Sequence, residues 1–114
     1  MHIAIASSDG ETINEHFGKA DRLFIYDFAG GRLTLLFVRA VTPLSTGDPG
    51  HAFDPQRMAT TLAALRNCAR VYCTRIGERP REELGKAGIE VVVGEGAIAA
   101  ICGTGPKQWM RSWR

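Results

Sequence analysis

A chain of 114 residues is one domain long, enough to bury a core without disulfides or a structural metal. Its net charge of only +2 argues against a nucleic-acid partner, and its three irregularly spaced cysteines form neither a disulfide framework nor a metal clip. The apolar runs are far too short to span a bilayer and the N-terminus lacks a signal-peptide pattern. A cytoplasmic protein with no membrane partner is expected.

The first predicted strand is the apolar run Ile3–Ala6. A polar, glycine-containing loop follows, Ser7-Ser8-Asp9-Gly10, and runs on to Asn14-Glu15-His16-Phe17-Gly18. Leu23–Phe28 and Leu33–Val38 are the second and third strands. Ala29-Gly30-Gly31 between them predicts an antiparallel hairpin, because glycine supplies the positive φ that a tight turn demands. Residues 41–54 then read as a long turn-rich loop carrying His51.

Asp54-Pro55 supplies a helix cap and a proline at the first helical position. The helix it opens sets Met58, Leu62, Ala63 and Leu65 on one face and is predicted to run to about Ala69. Val71–Cys73 is the fourth strand. A second helix starts around Arg79-Pro80, turns Leu84 and Ala87 inward and stops at Gly88. Ile89–Val93 is the fifth strand, closed by Gly94-Glu95-Gly96, and a third short helix is predicted over Ala97–Cys102. Both tryptophans lie in the last eight residues, Lys107–Arg114.

The order β-β-β-α-β-α-β-α predicts an α/β protein with a five-stranded mixed sheet. The expected architecture is a ribonuclease-H-like three-layer sandwich, with a Rossmann-like sandwich as the near alternative. Right-handed crossovers make the first, fourth and fifth strands parallel. Their C-terminal ends then gather three loops, Ser7–Gly10, Thr74–Gly77 and Gly94–Gly96. Such an edge presents helix N-termini and free N–H groups, which favour anions.

The candidate binding residues at this edge are His16, Arg75, Ser7, Ser8, Gly77 and Gly96, and the candidate metal ligands are His16, His51 and Cys73. Arg75 would add a charged donor; the chain uses eleven Arg against three Lys, and the planar Arg fork suits anions. Each candidate has an ordinary structural alternative. A loop histidine can be a capping residue, and Cys68, Cys73 and Cys102 can be core.

No catalytic residue is assigned. A two-metal nuclease needs clustered carboxylates, and Asp9, Asp27 and Glu90 supply no pair within the central strands. The glycines match neither the dinucleotide fingerprint nor the phosphate loop. The loop suits holding a ligand better than transforming one, so no enzyme activity is expected.

The opening Ile3-Ala4-Ile5-Ala6-Ser7-Ser8-Asp9-Gly10, then Asn14-Glu15-His16-Phe17-Gly18-Lys19-Ala20 and Phe24-Ile25-Tyr26-Asp27, resembles the dinitrogenase iron–molybdenum cofactor biosynthesis family. That family includes NifX, NafY and the C-terminal domain of NifB. A second block, Asn67-Cys68-Ala69-Arg70-Val71-Tyr72-Cys73-Thr74-Arg75-Ile76-Gly77-Glu78-Arg79-Pro80, is similar to the NifX and NifB branch. The resemblance covers residues 1–103 as one binding domain and leaves 104–114 as a C-terminal tail.

The resemblance implies a ribonuclease-H-like fold and a carrier of an iron–sulfur cluster or iron–molybdenum cofactor precursor in nitrogenase-type assembly. Donor and acceptor assembly proteins would be its partners, and a homodimer is left open. It also implies that His16 is the cluster ligand. The radical-chemistry domain of NifB has no counterpart here, so precursor synthesis is not expected. Residues 42–54 hold no cysteine, leaving His51 as their only soft ligand. A different class of function remains beside this one, an interaction adaptor without a cluster that docks a partner through Trp109, Met110 and Trp113.

Overall fold

The computed structural model describes residues 1–41, 43 and 55–101. At its centre is β1, His2–Ala6, buried on both faces because Ile3 and Ile5 point one way and Ala4 and Ala6 the other. On one side β1 pairs antiparallel with β3, Arg22–Ala29, with Ala4 opposite Ile25. Two strands come before it in the count because β2 is the two-residue piece Thr12–Ile13. β3 pairs in turn with β4, Arg32–Ala40, through the expected hairpin. Gly30 and Gly31, at φ +60° and +75°, form its two-residue loop between the paired Ala29 and Arg32.

On its other side β1 runs parallel to β5, Cys68–Cys73, which is parallel to β6, Glu90–Val93. The five-stranded sheet therefore has the order β4-β3-β1-β5-β6 and is mixed, as expected. The helices α1, Pro55–Ala64, and α2, Glu78–Lys86, contribute Met58 and Leu84 to one core. That core also takes Ala4, Ala6, Leu23, Ile25, Val71 and Cys73 from one face of the sheet. The opposite face carries Ile3, Ile5, Tyr26, Tyr72 and Val92, covered by Ile13, Ile98 and Ile101. Each fully buried isoleucine contributes about 1.5–3 kcal/mol by leaving water.

Three boundaries differ from the expectations. α1 ends at Ala64 rather than near Ala69, because Asn67 takes φ +74° and turns the chain into β5. Cys68 is accordingly a strand residue and not a helix end. α2 begins at Glu78 with Gly77 as its cap, and Pro80 sits in the first turn, where a missing N–H costs nothing. It closes as expected at Gly88, φ +79°, with the Ile89 N–H donating to the Leu84 carbonyl at 2.9 Å. Leu84 is buried, whereas Ala87 lies past the helix end and is exposed.

The third correction concerns the predicted helix over Ala97–Cys102. Gly96–Ala97 is instead a strand, β7, paired antiparallel with β2. Ala100 and Ile101 are helical, and Cys102 lies outside the described residues. Two-residue strands held by partners more than eighty positions away leave no periodicity to read. Among the described residues, no helix is long and apolar enough to cross a membrane.

Candidate functional site

The segment Glu15–Phe17 extends the sheet beyond the ends of β1 and β5. The Glu15 N–H donates to the Ala6 carbonyl at 3.3 Å, and the Thr74 N–H donates to the Glu15 carbonyl at 3.0 Å. The Phe17 N–H donates to the Arg75 carbonyl at 2.8 Å, which makes His16 and Arg75 partners in a parallel bridge. The sequence sites on the first and fourth predicted strands are thus joined by backbone bonds.

His16 also caps a short 3₁₀ turn, Phe17–Lys19. Its backbone is extended at φ −69° and ψ 131°, and its Nδ1 accepts from the Gly18 N–H at 3.2 Å. Buried Phe17 anchors the turn in the helix-side core. Partial burial lowers the His16 pKa below the ordinary imidazole value of 6.5. The positive charges of Lys19 and Arg75 add to that shift, and Glu15 opposes it. The ring is neutral near pH 7, the form that binds metal.

The loop after β1 is built by its own polar side chains. The Ser7 Oγ is buried; it donates to the Asp9 Oδ1 at 3.1 Å and accepts from the Gly10 N–H at 2.9 Å. The Asp9 Oδ1 accepts from the N–H groups of Glu11 and Thr12 at 2.8 and 2.9 Å, which lowers the Asp9 pKa. Ser8 and Asn14 lock together, with the Ser8 N–H donating to Asn14 Oδ1 at 2.9 Å and the Asn14 amide donating to Ser8 Oγ at 3.0 Å. Gly10 has φ +76°, and an added Cβ would meet the Phe24 ring at 2.9 Å. Of the two serines, exposed Ser8 is the one on the surface.

The third loop is tied to the first by β2 and β7. Thr12 pairs with Ala97, Ile13 with Gly96, and the Ile98 N–H donates to the Glu11 carbonyl at 2.9 Å. Gly96 takes φ +147°, a conformation that favours glycine. Gly77, at the N-terminus of α2, is exposed two residues from Arg75. All three predicted loops therefore meet at one edge. Arg75 is exposed there, with no ion pair to its guanidinium among the described residues.

Cys73 does not join them. It ends β5, as expected, but its side chain is fully buried in the helix-side core. Burial pushes its thiol up to about 12, so it stays protonated at neutral pH. His51 lies outside the described residues. Among the described residues no three His, Cys, Asp or Glu side chains group as a metal site. A cleft lies elsewhere, between the C-terminal ends of the two helices, and is lined by Leu62, Leu65, Cys68 and Ile89. Its apolar wall offers nothing to the His16 edge.

Sequence reasoning missed the scaffold roles of Asp9 and Asn14 and the β2–β7 clasp. The Asp9-Gly10 pair was a signal for the first, since Asp commonly accepts from amides two and three residues on. The clasp had no local signal.

Fold and site together define a small α/β domain that carries a neutral histidine and an exposed arginine at the C-terminal edge of its parallel strands. The chain belongs to the dinitrogenase iron-molybdenum cofactor family, whose model matches residues 1–103. It is 36% identical over 90 residues to the FeMo cofactor biosynthesis protein NifB of Frankia alni, covering 79% of this chain and 18% of that protein. It is 34% identical over 116 residues to NifB of Klebsiella pneumoniae, covering 97% of this chain and 25% of that one. Protein NifX of Klebsiella pneumoniae is 32% identical over 89 residues, 78% of this chain and 53% of NifX.

The chain thus spans at most about a quarter of these NifB relatives and about half of NifX. Among solved structures, PH0822 superposes with a TM-score of 0.65 at 22% identity, covering 99% of this chain and 92% of its own. The crystal structure of mj0327 from Methanocaldococcus jannaschii gives 0.60 at 15% identity, with 92% and 90% covered. At these identities the likeness shows a shared fold. The NifB relatives are FeMo cofactor biosynthesis proteins.

Proposed function

We propose that this domain is a non-catalytic carrier that binds an iron–sulfur cluster or iron–molybdenum cofactor precursor and passes it between assembly proteins. The observation that carries the reading is the His16–Arg75 bridge, which sets a neutral imidazole beside an exposed guanidinium. An iron–sulfur cargo is an anion whose iron accepts a nitrogen ligand and whose sulfides accept hydrogen bonds. His16 serves as the ligand. Arg75, exposed Ser8 and the backbone of Gly77 and Gly96 serve the charge.

A carrier must also let go. Because His16 Nδ1 accepts from Gly18, the proton of the neutral ring sits on Nε2. Ligation through Nε2 requires that proton to move to Nδ1, and ligation through Nδ1 displaces the Gly18 N–H; either route breaks the cap, which lowers net affinity and favours exchange. His51, outside the described residues, serves as a second ligand, and Cys73 belongs to the core.

The strand order, with a hairpin on one side of β1 and parallel strands on the other, supports a ribonuclease-H-like topology. The family match supports residues 1–103 as the binding unit. Residues 104–114 are then a C-terminal tail, and the domain works in the cytoplasm beside donor and acceptor assembly proteins. The test is anaerobic: load the protein with a synthetic or NifB-derived iron–sulfur cluster, pass it through gel filtration, and measure iron and visible absorption. Co-elution of iron followed by its transfer to an acceptor supports the carrier. Folded protein that elutes without iron overturns it.

A further inference from the structure

The face of the sheet opposite the helices is only half covered. Ile13, Ile98 and Ile101 lie over the central strands and the Gly10 turn reaches Phe24 and Tyr26 of β3, but among the described residues Leu35 and Val38 of β4 stay exposed on that face. The register puts Phe24 beside Val38, Tyr26 beside Leu35 and Phe28 beside Leu33 on that face. Leu35 is 50% exposed and Val38 48% exposed, where an open sheet face ordinarily presents polar residues.

We propose that the occupant is the chain's own C-terminal segment, with Trp109, Met110 and Trp113 lying on Phe28, Leu33, Leu35 and Val38. The first support is where the described chain ends. Ile101 is fully buried in the same cluster as Ile3, Ile5 and Tyr26, so the segment leaves from the face that needs covering.

Length is the second support. From β1 to β4 is two strand spacings, about 10 Å. Residues 102–114 reach about 20 Å even when helical. Chemistry is the third. Pro106 suits the first turn of a helix, and Trp109, Met110 and Trp113 then share one side. Lys107, Arg111 and Arg114 fall on the other, toward water. The covered indoles would not be free to recruit a partner, which sets this inference against the adaptor reading. It does not rest on the carrier function.

Both tryptophans of the sequence lie in this segment, so tryptophan fluorescence of the full chain reads it alone. The expected result is blue-shifted emission shielded from iodide. Leu35→Asp with Val38→Asp should shift the emission to the red while the far-ultraviolet circular dichroism stays unchanged. Phe37→Asp, on the opposite face beside Ile25, should leave the emission where it was. Solvated emission in the parent overturns the proposal, as does blue emission that the double variant fails to move. Blue emission that is lost on dilution together with a dimer in sedimentation also overturns it, by seating the segment on a second copy. Should the double variant not fold, iodide shielding in the folded Trp109→Phe and Trp113→Phe proteins decides the same question.

Discussion

His16 and Arg75 stand side by side because a backbone bond, the Phe17 N–H to the Arg75 carbonyl at 2.8 Å, adds one bridge beyond the ends of their parent strands. The bridge does not use either side chain. Arg75→Ala should therefore leave stability within about 0.5 kcal/mol of the parent, as surface changes do. It should also weaken retention of an anionic cluster and reduce the salt dependence of that retention. Urea titration and iron retention across a salt series check both halves.

His16 has two duties that substitution can separate. Alanine removes the cap on the Gly18 N–H and should cost about 0.5–2 kcal/mol. Asparagine restores a capping oxygen but binds iron poorly. Denaturation should rank the parent and His16→Asn close together, with His16→Ala below them. Cluster retention should fail in both variants.

The lowered His16 pKa gives a pH signature. Between the folded value and the unfolded value near 6.5 the unfolded chain holds more protons, so stability falls as pH drops through that window. Above it the contribution is fully present. His16→Asn should flatten this part of the stability curve. A separate loss, at pH values below the ordinary 3.8 of an aspartate, belongs to Asp9, whose carboxylate accepts from Glu11 and Thr12.

Cys73 is the sharpest divide between ligand and core. Its fully buried, protonated thiol predicts slow reaction with thiol reagents until the protein unfolds. Cys73→Ala should cost about 1 kcal/mol through the space it leaves. Cluster retention should not change. Loss of the cluster in a folded Cys73→Ala protein would return the residue to the ligand set.

The five sheet strands were legible because their apolar runs are short and bounded by glycine or polar residues, and the Gly30-Gly31 hairpin because its turn needs positive φ at both positions. The gathering of three loops at one edge followed from parallel strands alone. What stayed hidden depended on contacts far apart in the chain. Ala97 reads as the start of a helix until Thr12 pairs with it. Cys73 reads as a rim residue because strand position says where a residue sits but not which face its side chain takes. The end of α1 turned on the left-handed Asn67, which a run of helix-compatible residues conceals.

Nitrogen ligation of the cargo by His16 is the central claim, and pulsed electron paramagnetic resonance of the reduced, cluster-loaded protein tests it most directly. The account predicts a strong hyperfine coupling from a directly bound imidazole nitrogen in the parent. Any cluster still held by His16→Asn should lack that coupling. The same imidazole coupling in both proteins, or none in a loaded parent, would contradict it.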